Sequence, residues 1–139
     1  MVQLIVGEKG KGKTKYMLDK VNTEIKNVSG NIAYLDRSAK HMYELNNKVR
    51  LIDVSDYFID NKDEFLGFIA GIISQDHDLE QMYFDGFLAM SNTPMADFEY
   101  AVAKLEKYSE KHKVDFVLSV SATKEDIPES LQSKIIVAL

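Results

Sequence analysis

Residues Gly7-Glu8-Lys9-Gly10-Lys11-Gly12-Lys13-Thr14 put three glycines and three lysines into eight positions, directly after the apolar run Gln3–Val6. Glycine at this density weakens a helix or a strand, so the chain turns here with its backbone N–H groups unshielded by side chains. The stretch that follows, Lys15–Val28, carries Met17, Leu18, Val21, Ile25 and Val28 at a 3.6-residue period and reads as a helix ended by Ser29-Gly30-Asn31. A strand, a glycine-rich turn and a helix in that order make the opening of an alternating α/β chain.

The eight residues satisfy G-x-x-x-x-G-K-[ST] at every fixed position. Glycines let successive N–H groups curl inward around an anion, and the helix behind them presents its positive end to the same place. A triphosphate is the dense anion that such a turn accommodates. Lys13 is expected to reach its β- and γ-phosphates and the Thr14 hydroxyl to ligate Mg²⁺. The expected nucleotide contacts are Gly7, Glu8, Lys9, Gly10, Lys11, Gly12, Lys13, Thr14 and Lys15. Lys9 and Lys11 read equally well as solvated loop lysines.

Strand and helix signals then alternate to the last residue. Ile32–Leu35 is a strand closed by Asp36, Ser38–Leu45 a short helix, and Val49–Val54 an alternating strand near a sheet edge. Lys62–Ser74 is a strongly apolar helix, and Gln81–Phe84 a strand ending in Asp85. Thr93-Pro94 has the form of a helix N-cap and first turn for the stripe Phe98, Ala101, Val102 and Leu105. Asp115–Val120 is a β-branched-rich strand, Pro128–Gln132 one helical turn or two, and Ile135–Leu139 a last strand. Without repeats or linkers, residues 1–139 are expected to form a single domain: a three-layer α/β/α sandwich on a mostly parallel sheet of five or six strands.

Met82-Tyr83-Phe84-Asp85 ends an apolar strand in a carboxylate and is the expected second holder of Mg²⁺. Composition removes other chemistries. The chain has no cysteine, so disulfide, thiolate and zinc-knuckle roles fall together. A net charge of −5 argues against constitutive binding to nucleic acid or an anionic membrane. The apolar stretch Phe65–Ile73 is too short to span a bilayer, and the basic region of a signal peptide is missing, so a cytoplasmic protein is the default expectation. Asp76-His77-Asp78 reads as a solvated turn, and His41 and His112 as surface residues.

On these residues the chain resembles the P-loop NTPase superfamily and, within it, the RecA-like ATPases of secretion, twitching motility and DNA translocation. Two further stretches carry the narrower resemblance: Phe116–Thr123, a strand ending in small hydroxyl residues, and Ile127–Lys134 ahead of the last apolar strand. The resemblance implies ATP as substrate or ligand, hydrolysis to ADP and phosphate, and a polar sensor of the γ-phosphate at Ser119, Ser121 or Thr123. It also implies a carboxylate that orients the attacking water. Many members carry a Glu directly after the metal-binding Asp, where this chain has Gly86, and Asp36 at the end of the second strand is the best-placed substitute, ahead of Glu80. Arginine fingers are scarce, since Arg37 and Arg50 are the only arginines.

Other readings fit less well. Asn61-Lys62-Asp63-Glu64 resembles a guanine-specificity motif but precedes the Asp85 strand and ends in Glu. A small-molecule kinase usually gathers several arginines around its two anions, which this chain does not have. A nucleotide-gated switch with little intrinsic hydrolysis agrees with Gly86; a protein partner would read its state, and a homo-oligomer is the other partner expectation. Ile135–Leu139 is the edge with which that partner would pair if exposed, a buried strand being the simpler reading of this run.

Overall fold

The computed structural model describes residues 1–139. Six strands, β1 (Val2–Gly7), β2 (Asn31–Asp36), β3 (Val49–Asp53), β4 (Leu79–Phe84), β5 (Asp115–Ser121) and β6 (Ile135–Ala138), form one sheet in the order β3-β2-β4-β5-β1-β6. All five strand pairings are parallel. The helices are α1 (Lys13–Glu24), α2 (Lys62–Gln75), the single turn α3 (Phe87–Met90) and α4 (Phe98–His112). No helix is long and apolar enough to cross a membrane.

Strand periodicity divides the core into two layers. Leu4, Val6, Leu35, Met82, Phe84, Leu118 and Val120 face one side and join α2 and α4 in a cluster of 26 buried residues. Ile5, Ile32, Tyr34, Tyr83 and Val117 face the other and join α1 in a cluster of 11. The expected α/β/α sandwich is thus formed, with six strands and an entirely parallel sheet. Strands buried on both faces read as near-continuous apolar runs, as these do.

Five buried phenylalanines connect the larger layer to the carboxyl ends of the strands. Phe65 meets Phe84 edge-on at 5.5 Å and Phe87 at 5.7 Å, while Phe84 stacks on Phe116 at 5.7 Å and Phe87 meets Phe98 at 5.8 Å. Such pairs contribute about 0.5–1.5 kcal/mol each beyond area burial. Phe84 and Phe87 bracket Asp85-Gly86, so the turn that carries the acidic residue is anchored on both sides.

Several elements differ from the sequence expectation. Helix α1 ends at Glu24 rather than Val28: Lys26 and Asn27 donate to carbonyls three residues back, tightening the last turn before Gly30. Ser38–Leu45 forms only a 3₁₀ turn at Met42–Glu44. Side chains compete for its backbone there, with Asn22 Nδ2 donating to the Glu44 carbonyl at 2.8 Å and Asn22 Oδ1 accepting from Asn46 N–H at 2.8 Å. Thr93 is no N-cap: it is buried and accepts from the Ser91 hydroxyl at 2.8 Å, Pro94 is extended, and regular helix begins at Phe98 after a 3₁₀ turn. Pro128–Gln132 corresponds to a 3₁₀ helix, Glu129–Lys134. Strand β6 lies at an open edge of the sheet, with Ile136 exposed.

Candidate functional site

The loop after β1 turns on two left-handed glycines, Gly10 at φ 86° and Gly12 at φ 96°, a backbone region that disfavours any side chain. Helix α1 starts immediately after Gly12, and its first internal bond runs from Tyr16 N–H to the Gly12 carbonyl. The N–H groups of Lys13, Thr14 and Lys15 precede that bond and have no carbonyl partner within the helix. They form an anion-seeking end with no side chain needed.

Lys13 is buried, and its ammonium donates to the carbonyls of Gly7 at 2.6 Å and Glu8 at 3.1 Å. Burial pushes its pKa down, and the nearby Asp85 charge partly opposes that shift. The cation is therefore costly to keep where it is and gains from an anion placed beside it.

Asp85 follows β4 and is gripped from three elements. Its Oδ1 accepts from Thr14 Oγ1 at 3.3 Å and from Ser119 Oγ at 3.1 Å, and its Oδ2 accepts from the Tyr34 hydroxyl at 2.8 Å. Ser119 in turn accepts from Gly86 N–H at 2.7 Å. The sheet order makes this possible, because β5 lies between β1 and β4 and brings Ser119 between the loop and the acidic strand end. Burial, followed by the charge and hydrogen bond of Asp85, drives the Tyr34 pKa far upward, so the phenol stays a donor.

A hollow of about 290 Å³ opens over these groups. Lys9, Gly10, Gly12, Lys13 and Thr14 line it from the loop, Asp85 and Gly86 from β4, and Ser119 and Ser121 from β5, with no apolar side chain. The larger hollow of about 600 Å³, over the β3 edge, shares no residue with it. Thr14 also borders a second polar hollow of about 480 Å³ beside α1, together with His41 and Glu44.

The structure brings Lys13, Thr14 and Asp85 together and sets other expected residues apart. Lys15 turns its side chain along α1 to Asp19 at 3.6 Å and does not line the hollow. Glu8 contributes its carbonyl, and Lys11 is exposed and outside the hollow's lining. Asp36 lies beside the site, not in it. Leu35 pairs with Phe84, so Asp36 and Asp85 are the next residues on adjacent strand ends, yet Asp36 Oδ1 accepts from Arg37 N–H at 2.6 Å and does not line the hollow. Burial raises the Asp36 pKa; the Arg37 bond opposes this and the Asp85 charge adds to it.

Among the sensor candidates, Ser119 is committed to Asp85, Ser121 faces the hollow, and Thr123 is excluded because its hydroxyl caps a turn through Asp126 at 2.9 Å. Glu80 sits at the opposite end of β4, bound to Gly30 N–H. Arg50 pairs with Asp76 at 3.7 Å, leaving Arg37, exposed and unpaired, as the guanidinium at the site's end of the sheet. Asn61 accepts from Glu64 N–H at 2.9 Å, so the guanine-like tetrapeptide is the N-cap of α2. In Asp76-His77-Asp78, Asp76 binds the Asn31 amide at 3.0 Å and ties α2 to β2. His41 is partly buried against Glu44 at 2.9 Å instead of lying free on the surface. Tyr34 escaped the sequence reading altogether, since nothing local in a chain reveals which strand will neighbour which.

No protein-family model matches this chain, and a search of curated proteins finds no match.

The donor set fits Mg²⁺. This ion keeps several waters and takes few protein ligands alongside substrate phosphates, so one hydroxyl and one carboxylate suffice. Thr14 Oγ1 and Asp85 Oδ1, 3.3 Å apart, offer one hydroxyl and one carboxylate side by side.

Proposed function

We propose that this chain binds a nucleoside triphosphate with Mg²⁺ on the Gly7–Thr14 loop and hydrolyses it. One observation carries the reading: a buried ammonium, the first residues of a helix with their N–H groups free, and a hydroxyl–carboxylate pair line one hollow without apolar side chains. Lys13 and the loop amides neutralise the β- and γ-phosphates. Thr14 and Asp85 would hold Mg²⁺, which would supply charge neutralisation to the phosphates. Water attacks the γ-phosphorus, the bond to the β–γ bridging oxygen breaks, and ADP and phosphate leave. Asp36, on the strand end beside that of Asp85, takes up the water's proton through a second water, since it lies beside the hollow; burial strengthens its hold on that proton. Ser121 reads the γ-phosphate. ATP is the expected nucleotide on one ground, the absence of a properly placed guanine motif: Asn61–Glu64 precedes the Asp85 strand and caps α2.

A second reading has its own support. Gly86 leaves the position after Asp85 without a side chain, and Asp85 is the only carboxylate residue lining the hollow. Slow turnover in the isolated chain follows, with a protein partner or a second copy at the open β6 edge reading the bound nucleotide.

Calorimetry of Mg²⁺–ATP binding to wild type and Lys13→Ala, with phosphate release followed in the same samples, tests both. Binding that is lost in the variant, with release, supports the ATPase. Binding without release supports the switch. Equal binding by the two proteins sinks the site assignment.

A further inference from the structure

We propose that Tyr34 is a positioning residue for the metal end of this site, its hydroxyl holding one oxygen of Asp85 so that the other is presented to the cation. The inference rests on the reading that a Mg²⁺–nucleotide complex occupies the loop.

The two oxygens of Asp85 have different neighbours. Oδ1 faces Thr14 and Ser119, the hydroxyls of the loop helix and of β5. Oδ2 accepts from the phenol of Tyr34 on β2, at 2.8 Å. A carboxylate free to rotate about its last bond would offer either oxygen. A donor fixed to Oδ2 sets the plane of the group and leaves Oδ1 toward Thr14.

The donor is held rigidly. Tyr34 is completely buried, and its ring lies nearly flat on that of Tyr83, with centroids 6.2 Å apart and 14° between the planes. Phenylalanine would make the same ring contacts. A hydroxyl at a fully buried place costs desolvation unless it is hydrogen-bonded, and here the partner is an ionisable acid, the stronger kind of acceptor. The hydroxyl therefore serves Asp85 rather than the packing. Outer partners of this kind orient metal-binding groups, and their loss usually weakens a metal site. Tyr83 supplies an internal control: it shares the layer and the stack, but its hydroxyl goes to Gln81 at 2.9 Å.

The test measures the Mg²⁺ concentration that half-saturates binding of a fluorescent ATP analogue, together with the affinity for the analogue without metal. Tyr34→Phe is expected to raise the Mg²⁺ requirement about tenfold and to leave metal-free affinity at the wild-type value. Tyr83→Phe is expected to change neither. In an Asp85→Ala background, Tyr34→Phe should add nothing, because its effect passes through Asp85. An unchanged Mg²⁺ requirement in Tyr34→Phe, or an equal effect with and without Asp85, overturns the proposal while leaving the nucleotide site intact. Absence of nucleotide binding by wild type removes the site reading and this inference with it. If Tyr34→Phe does not fold, wild-type protein carrying ¹³Cζ-tyrosine answers the question. The Tyr34 resonance should shift when Mg²⁺ joins the nucleotide complex and the Tyr83 resonance should not; a stationary Tyr34 signal overturns the proposal.

Discussion

The ammonium of Lys13 lies 2.6 Å from the carbonyl oxygen of Gly7, the residue at which β1 gives way to the loop. The loop is closed on itself by the side chain that the nucleotide is expected to engage. Wild type should therefore gain thermal stability from Mg²⁺–ATP, by about 2.7 kcal/mol at a hundredfold excess over Kd, and Lys13→Ala should gain none. Melting curves with and without ligand decide this, and an equal ligand-induced shift in both proteins would count against the site.

Asp36 gives a pH signature. Its folded-state pKa is raised above the ordinary value of 3.8, so the native state holds the proton more tightly than the unfolded chain does. Below 3.8 the group costs the fold nothing; as pH climbs from there through the raised folded value, ionisation costs stability. Asp36→Asn should be the more stable protein near neutral pH, with a flatter dependence of stability on pH above the ordinary carboxylate range. The same variant should lose about a hundredfold or more in phosphate release if Asp36 is the base. Thermal melts across pH and a phosphate-release assay read the two effects separately.

Ser119 and Ser121 are two residues apart on β5 and are expected to behave differently. Ser119 is fully buried and bonded to both Asp85 and Gly86 N–H. Ser119→Ala should cost about 1–3 kcal/mol by stranding those groups, visible in denaturant unfolding. Ser121 is exposed at the hollow. Ser121→Ala should leave unfolding unchanged and lower phosphate release. A stability loss in Ser121→Ala would remove it as a sensor.

Gly30 is required by space, not by backbone angle. A Cβ there would stand 2.0 Å from the Asp78 carbonyl oxygen and 2.8 Å from Glu80 Oε2. Gly30→Ala must push the β2 entrance away from β4 and should cost at least about 1–3 kcal/mol, measured as a lower denaturant midpoint with an unchanged slope. The proposed nucleotide contacts lie at the other end of the strands, so affinity should persist in the folded fraction.

The sequence made the loop legible because its demands are local: glycines at fixed spacing, a lysine, a hydroxyl and a helix behind them. The layers were legible too, since Leu4 and Val6 alternate with Ile5 in step with the pleat. What escaped was non-local. The contact between Tyr34 and Asp85 exists because β2 and β4 become neighbours across 51 residues of chain. Thr93 has the chemistry of a helix cap, but the Ser91 hydroxyl claims it. Residues 38–45 look helical until Asn22, on a different element, binds the Glu44 carbonyl and the Asn46 N–H just beyond them.

The interposition of β5 between β1 and β4 gives the molecule a built-in ruler. Backbone hydrogen bonding fixes each interval at about 4.7–4.9 Å, so the lateral offset between the strand that leads into the glycine-rich loop and the strand that ends at Asp85 is two such steps. Main-chain geometry sets that span, and exchanging one apolar core residue for another does not reset it. Mutational drift in the apolar layers can thus be broad while the reach from loop to carboxylate stays constant, and tuning of the chemistry falls to the few side chains that meet at Asp85: Thr14 and Ser119 from the loop side and Tyr34 from the far side.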